Sequence, residues 1–374
     1  MTLNINAVFD SGNIEVVDAT DPQDIRLRIR VDAGGEFFQW FHYRVTGARG
    51  VPLRMIIENA GEAAYPKGWD DYRACYSDDL ETWPRVAKTS FDGTSLVIEH
   101  TPALDSVHYG YFAPYTQDRH RQLIADCLAH EGVSLEVLGQ TVDGRDLDCL
   151  RIGDGPKTIW VIARQHPGES MAQWWMEGFL ARLTDPDDVV ARDMRNTATF
   201  RLVPNMNPDG SFRGHLRTNA AGANLNREWA EPTAERSPEV LCVRNAMDAD
   251  APVLCLDVHG DEALPYNFIA GAEGIPGHTD KQAADLAAFL DAYVAASPDF
   301  QTAVGYPKSA PGKANMTMCT SQTAKRYDCL SMTLEMPFKD NADAPDARHG
   351  WSPDRSAQLG SDVLDAMAAV IERL

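Results

Sequence analysis

An antiparallel β-sandwich followed by an α/β unit is the fold class this sequence predicts, on three observations. Short strand-like runs separated by Gly, Pro, Asp and Asn clusters fill the first third of the chain. Beyond Thr116 the pattern changes to helical stretches alternating with uninterrupted apolar runs such as Thr158-Ile-Trp-Val-Ile-Ala163. The length, 374 residues with 44% hydrophobic content, suffices for two domains with a substantial core in each. The boundary is placed at Pro114, dividing 1–114 from 115–374.

Taken in order, Ile25-Arg-Leu-Arg-Ile-Arg-Val31 alternates between apolar and basic residues, as a half-buried strand requires. Strands are also expected at Phe37 to Tyr43, Leu53 to Glu58, Ser95 to His100 and Val107 to Phe112. The aromatics Phe37, Phe38, Trp40, Phe41 and Tyr43 read as sandwich core in preference to a carbohydrate- or peptide-binding face. From Gln117 to Ala129 the chain turns helical, with Leu123, Ile124, Cys127 and Leu128 as its apolar stripe. Strands follow at Ser134 to Gln140 and Leu147 to Ile152, joined by the turn Asp143-Gly-Arg-Asp146, and then the strand leading to His166. A helix is expected from Met171 to Leu180, buried strands at Val253 to Val258 and Cys329 to Leu334, and a closing amphipathic helix carrying Leu359, Val363, Met367, Val370 and Leu374.

His166-Pro-Gly-Glu169 leaves the end of one of these strands and opens a helix. A His and a Glu three residues apart make half of a metal site, and Asp257-Val-His259 at the end of another strand supplies a third ligand type. Catalytic zinc takes three protein ligands from His and carboxylate and keeps a fourth position open. In open α/β sheets the groups beyond the carboxyl ends of strands converge in one crevice, so His166, Glu169 and His259 can meet there. Glu335, on the buried run Cys329 to Leu334 and its continuation, carries a charge into the same crevice, a costly placement that suits a general base. Asp257 and Asp261 are each able to accept a ligand histidine's second N–H, but a purely structural role, for Asp257 a strand-end cap, is the better reading of each. Singly, His259 also reads as a core histidine, Glu335 as a paired carboxylate, and Asn226-Arg227 as a surface turn; the joint pattern favours the site.

The ordered set His166-Pro-Gly-Glu169, Asn207-Pro-Asp-Gly210, Arg217-Thr-Asn219, Asn224-Leu-Asn-Arg-Glu-Trp229, Asp257-Val-His259 and Thr333-Leu-Glu-Met-Pro-Phe338 resembles the M14 zinc metallocarboxypeptidases, in their cytosolic carboxypeptidase-like branch. The resemblance runs from near Thr116 to the C-terminus. It implies a mixed-sheet α/β catalytic domain behind a β-domain, one Zn2+ per chain on His166, Glu169 and His259, and Glu335 as base and then acid. It also implies Arg217 as the arginine polarising the scissile carbonyl and Asn226 with Arg227 as the anchor of a terminal carboxylate. Arg213 competes with Arg217, and the Arg217-x-Asn219 context favours the latter. The tyrosine that digestive members carry about twenty residues before the catalytic glutamate is missing from Lys313 to Thr320; Tyr306 and Tyr327 flank that stretch without matching it.

The implied activity is zinc-dependent hydrolysis of the C-terminal peptide bond of peptides or protein tails. Lys308, Lys313, Lys325 and Arg326 fall between the third ligand and Glu335, where a base in the specificity pocket would favour acidic, Glu-like ends. Two alternatives stand beside this: an amidase or deacylase of small N-acyl amino acids, against which the Asn226-Arg227 pair speaks, and a binding module with an inert metal site, against which Glu335 speaks.

A formal charge of −21 argues against nucleic acid as a partner. Seven scattered cysteines without a Cys-x-x-Cys pair imply neither a disulfide framework nor a zinc ribbon. The first ten residues lack a basic segment followed by an apolar one, and no run is long enough to span a bilayer, so a soluble, cytoplasmic protein without membrane partners is expected. Nothing in the sequence specifies an oligomeric state.

Overall fold

The structure, a computed structural model, describes residues 3–374. Its first part contains nine strands: β1 (Asn4–Asn6), β2 (Glu15–Asp18), β3 (Ile25–Arg28), β4 (His42–Thr46), β5 (Leu53–Ile57), β6 (Cys75–Ser77), β7 (Lys88–Phe91), β8 (Leu96–His100) and β9 (Ser106–Gly110). They form a four-stranded sheet in the order β1-β4-β9-β6 and a five-stranded sheet in the order β2-β3-β5-β8-β7. All pairs are antiparallel except β3 with β5. The inner faces share one core in which Tyr43, Val45 and Tyr109 meet Leu27, Met55 and Ile98, and the Tyr43 hydroxyl lies 3.2 Å from the Met55 sulfur.

Two expected strands are shorter than the sequence implies. The alternation after Ile25 holds for burial as far as Ile29, but pairing stops at Arg28. The Asn59 side chain occupies both the N–H (3.0 Å) and the carbonyl (2.9 Å) of Ile29, and Asn13 takes the N–H of Arg30 (3.0 Å), so no ladder can continue. Val31 is consequently exposed. In Phe37 to Tyr43 only His42 and Tyr43 belong to a strand, because Phe38 to Phe41 are buried consecutively and present no alternating face. The Gln39 amide stands in for a strand partner there, accepting from Tyr65 N–H (2.8 Å) and donating to Tyr65 O (3.0 Å). Phe38, Trp40, Phe41 and Tyr43 are core, as expected; Phe37 is only half-buried.

The second part begins with α1 (Gln117–Leu128), capped by the Thr116 hydroxyl, on which Leu123, Ile124 and Cys127 are buried and Leu128 is exposed. Seven strands follow: β10 (Val133–Gln140), β11 (Asp146–Ile152), β12 (Lys157–Ala163), β13 (Ala198–Val203), β14 (Leu254–Asp261), β15 (Phe268–Ala270) and β16 (Leu330–Pro337). Their order is β10-β11-β13-β12-β14-β16-β15, with β13, β12, β14 and β16 mutually parallel and the others antiparallel, which makes the sheet mixed. The remaining helices are α2 (Met171–Thr184), α3 (Val189–Thr197), α4 (Pro208–Arg213), α5 (Pro238–Ala249), α6 (Asp280–Ala296), α7 (Cys319–Tyr327) and α8 (Pro353–Val370).

Helices cover both faces of the sheet, which is why its central strands read as mainly apolar runs without a polar face. Along β12, Ile159, Val161 and Ala163 enter the core that contains α2 and α8, while Trp160 and Ile162 enter the one that contains α5. Helices α2 and α8 touch so closely at Gly360 that a Cβ there would lie 2.0 Å from the Trp175 carbonyl oxygen. No helix among the described residues is long and apolar enough to cross a membrane.

Glu239, fully buried in the first turn of α5, accepts from the Asn219 side chain (3.0 Å) through one oxygen, while the other has no partner among the described residues. Burial raises its pKa to about 7 from 4.5. Folding therefore favours the protonated acid, so the cost of the charge is absent below pH 4.5 and reaches full size above about pH 7. Glu239→Gln is expected to leave stability unchanged at pH 4 and to raise it at pH 8 by up to about 3 kcal/mol, as urea unfolding at the two pH values would measure.

Candidate active site

The carboxyl ends of β12, β14 and β16 open into one cleft of about 310 Å³ lined by His166, Glu169, Arg217, Asn226, Arg227 and Glu335. His166 and Glu169 come from the loop between β12 and α2. Arg164, whose backbone adopts a left-handed φ of 60°, starts that loop and anchors it by donating to the carbonyls of Pro167 and Tyr115, both at 2.8 Å. A non-glycine residue held at positive φ costs on the order of 1 kcal/mol, which these buried bonds offset. His259 lies within β14, and the parallel register sets it directly beside Glu335 of β16.

One ligand atom from each of His166, Glu169 and His259 lies within 4.8 Å of the other two, and all three residues are buried. The Glu169 carboxylate is 2.7 Å from His166 Nδ1 and 2.8 Å from His259 Nδ1, and the two Nδ1 atoms are 3.1 Å apart. Their far nitrogens are engaged: His166 Nε2 meets Asn224 Oδ1 at 3.1 Å and His259 Nε2 meets Asp257 Oδ2 at 2.9 Å. With Nε2–H donating outward, two Nδ1 lone pairs and a carboxylate face one point, an arrangement that a cation satisfies and that suits zinc in donor type and number.

Asp257 thus orients His259. Gln165 steadies it, donating to Asp257 (2.6 Å) while accepting from the Trp229 indole (2.8 Å). Asp261 does not take that role; it accepts from the Tyr306 hydroxyl at 2.5 Å and from N–H groups of its own loop.

Burial followed by the nearby Arg217 charge lowers His166 to about 4, which keeps the imidazole neutral. For Glu169, burial would raise the pKa, but the two histidines outweigh it and hold the carboxyl low. His259 is raised despite burial because Asp257 and Glu169 flank it. Glu335 is pushed well above the usual carboxylate range by burial; His259 opposes the shift, whereas Glu169, Asp261 and Glu262 add to it. One Glu335 oxygen is buried without a partner among the described residues.

Arg217 is half-buried at the cleft and Arg227 exposed at its edge, donating to Asn226 O (2.6 Å). Asn226 is buried and accepts from Cys319 N–H (2.8 Å), which ties it to the start of α7. Arg213 points elsewhere and pairs with Asp143 at 2.7 Å, so of the two arginines only Arg217 lines the cleft.

None of the four bases expected near the specificity pocket lines the cleft. Lys308 pairs with Glu273 and Arg326 with Asp248, while Lys313 and Lys325 are exposed on the surface. The segment between His259 and Glu335 instead contributes Asp261, Glu262, Ala263, Tyr306 and Met318. Among these, Asp261 and Tyr306 stand outside the roles the sequence suggests for them, and the sequence alone singles out no role for Glu262, for Tyr65 from the first part, or for Asn224 beneath His166. Glu262 is buried and its pKa rises to about 8, from burial and then the Glu169 charge. Tyr327 faces away, its hydroxyl 2.7 Å from Asp248. A larger cavity of about 910 Å³ between the two parts of the chain, walled by Phe9, Trp83 and Trp174, contains none of the candidate ligands.

Residues 5–112 match the family model for the cytosolic carboxypeptidase N-terminal domain, and residues 128–342 match that for zinc carboxypeptidase. A crystal structure of a metallo-carboxypeptidase from Burkholderia cenocepacia superposes with a TM-score of 0.97, at 49% identity over 100% of both chains. A metallo-carboxypeptidase from Pseudomonas aeruginosa, solved in complex with (2-guanidinoethylmercapto)succinic acid, gives a TM-score of 0.96 at 46% identity over 99% of each chain. Mouse cytosolic carboxypeptidase 3 is 26% identical across 73% of this chain, which spans 30% of that relative's length.

Proposed function

The chain belongs to the M14 family of zinc carboxypeptidases, and from that membership and the geometry of the cleft we propose that it removes single residues from the C-termini of peptides or protein tails. The observation that carries the reading is the meeting of His166 Nδ1, Glu169 and His259 Nδ1 within 4.8 Å, with buried Glu335 set beside His259 across the β14–β16 pair. In this reading His166, Glu169 and His259 hold one zinc per chain, which when bound polarises a carbonyl and makes water more acidic.

Glu335 takes the proton of the attacking water and returns it to the leaving amine, a task for a carboxylate whose pKa is raised by a dry cleft. Arg217, with no carboxylate within 4 Å among the described residues, is free to pair with the developing oxyanion. Asn226 and Arg227 hold the terminal carboxylate, for which the planar guanidinium fork is suited. Tyr306 supplies the hydroxyl that the 313–320 stretch lacks, since it shares the cleft with Glu335 while Tyr327 does not.

In this reading residues 1–114 and 115–374 are the two domains of the enzyme and it acts in the cytoplasm; the match of residues 5–112 to the cytosolic carboxypeptidase N-terminal domain supports both. An acidic side-chain preference finds no support in Lys308, Lys313, Lys325 or Arg326, all of which lie outside the cleft, and would rest on Arg217 and Arg227 alone. Mass spectrometry of a mixed peptide panel incubated with zinc-loaded protein tests the reading, with a chelated control. Chelator-sensitive loss of single terminal residues is expected, and the order in which acidic, basic and aromatic ends disappear reads the preference. No release from any peptide would refute hydrolysis of short peptides and favour an amidase of small N-acyl amino acids or an enzyme that acts on protein tails alone.

A further inference from the structure

Within residues 214–222, which carry Arg217, the first domain holds the backbone on either side of that arginine, while Asn219 ties the far end to Arg236 O and Glu239 of the second. Asp32, 2% exposed, accepts the backbone N–H groups of Leu216 (2.7 Å), Arg217 (2.8 Å) and Thr218 (2.9 Å) and also the Thr218 hydroxyl (3.2 Å). Three successive N–H groups aimed at one point form an anion-binding concavity, and a carboxylate placed in it makes charge-assisted bonds stronger than neutral ones. His215 fastens the adjoining turns, accepting from Ala33 N–H (3.0 Å) through Nε2 and donating to Thr218 O (2.9 Å) through Nδ1. Asn13 donates to Gly214 O (2.8 Å), and the chains approach so closely at Gly222 (φ 76°) that a Cβ there would sit 2.2 Å from the Gly34 carbonyl oxygen.

The same domain also frames the side chain. The Arg217 guanidinium lies 5.8 Å from the Phe37 ring centre and 5.4 Å from that of Tyr65, within cation–π range of both. In addition, Leu216 O accepts from Gly168 N–H (2.9 Å), which links this loop to the one bearing His166 and Glu169. A buried carboxylate without an Arg or Lys counter-ion is costly, and here nearly all of its hydrogen bonding is spent on the backbone around one arginine.

We infer that Asp32 is a positioning residue for peptide hydrolysis: from the first domain it locks the backbone of residues 216–218 so that Arg217, steadied by Phe37 and Tyr65, presents its guanidinium to the oxyanion. The cleft is therefore completed by the first domain. The inference rests on the reading of Arg217 as the oxyanion partner.

The test is a double-mutant cycle on a peptide that the wild type cleaves, with zinc content and melting temperature recorded for each variant. Asp32→Asn keeps the shape but replaces one acceptor oxygen by a donor facing N–H groups. It is expected to lower kcat by about 30- to 100-fold, part of the loss seen when an oxyanion donor is removed outright, with KM changed less than about threefold and one zinc per chain retained. In an Arg217→Ala background the same substitution is expected to add no further loss. If Asp32→Asn does not accumulate as folded protein, Thr218→Val, which deletes only the hydroxyl bond to Asp32, takes its place with an expected loss of about three- to tenfold, again absent without Arg217. Full activity in the folded variant, or a loss that multiplies onto that of Arg217→Ala, overturns the inference while the carboxypeptidase reading stands. A zinc-loaded wild type that releases no residue overturns both.

Discussion

Glu335→Gln is expected to lower kcat by about 10²- to 10³-fold while zinc content stays at one per chain. Glutamine preserves the shape and the strand: Glu335 sits in β16 between β14 and β15, paired through its backbone with His259 on one side and Phe268 on the other. What is lost is the basic oxygen. Because His166, Glu169 and His259 converge without Glu335, metal affinity should be largely unaffected. Thermal stability should be equal or higher, since the substitution removes a buried carboxylate with an unpartnered oxygen. Metal analysis, melting temperature and kinetics on one preparation separate the outcomes. Unchanged kcat would eliminate Glu335 as the base, and zinc loss in parallel with activity would make it a metal-site residue instead.

What the sequence made legible follows from how the sheet is built. Runs 158–163, 253–258 and 329–334 are mostly apolar because helices bury both faces of β12, β14 and β16, so a titratable residue near or just past the end of such a run stands out. His166, Glu169, His259 and Glu335 all lie there. Trp229, quoted only as part of a motif, acts two contacts away from the centre by fixing Gln165 against Asp257.

The illegible contributions come from tertiary contact between segments far apart in sequence. Asp32, Phe37 and Tyr65 meet Arg217 across some 150 residues or more, and no local period records that. Glu262 looked like one more acidic residue in a chain of formal charge −21. The Phe37 to Tyr43 run misled because aromatic richness fits a strand, whereas four successive residues of it are buried and Gln39 replaces the ladder with its side chain. The four bases between His259 and Glu335 misled for the opposite reason: their chain position was right, but the chain turns their side chains outward to Glu273, Asp248 and solvent.

Removing the metal should abolish activity and measurably loosen the fold. His166 and His259 donate through Nε2 to Asn224 and Asp257, which leaves two Nδ1 lone pairs 3.1 Å apart and a carboxylate at 2.7 and 2.8 Å, all in a buried pocket. Without a cation these groups need a shared proton, which His259, raised by Asp257 and Glu169, can hold but which burial denies to His166, so one histidine lone pair stays unsatisfied. A ligand that binds only the folded state stabilises it by about 2.7 kcal/mol at a hundredfold excess over its Kd, equivalent to a melting-temperature rise of roughly 3 °C for a chain of this size. Zinc added back to chelated protein is therefore expected to restore both the melting temperature and peptide hydrolysis. Glu169→Gln, which leaves the site with neutral donors only, should forfeit both responses. If chelation changes neither stability nor activity, the three groups are a buried polar cluster and the zinc chemistry must be abandoned; if it lowers the melting temperature in a protein that never cleaves peptides, the metal is structural and the binding-module alternative returns.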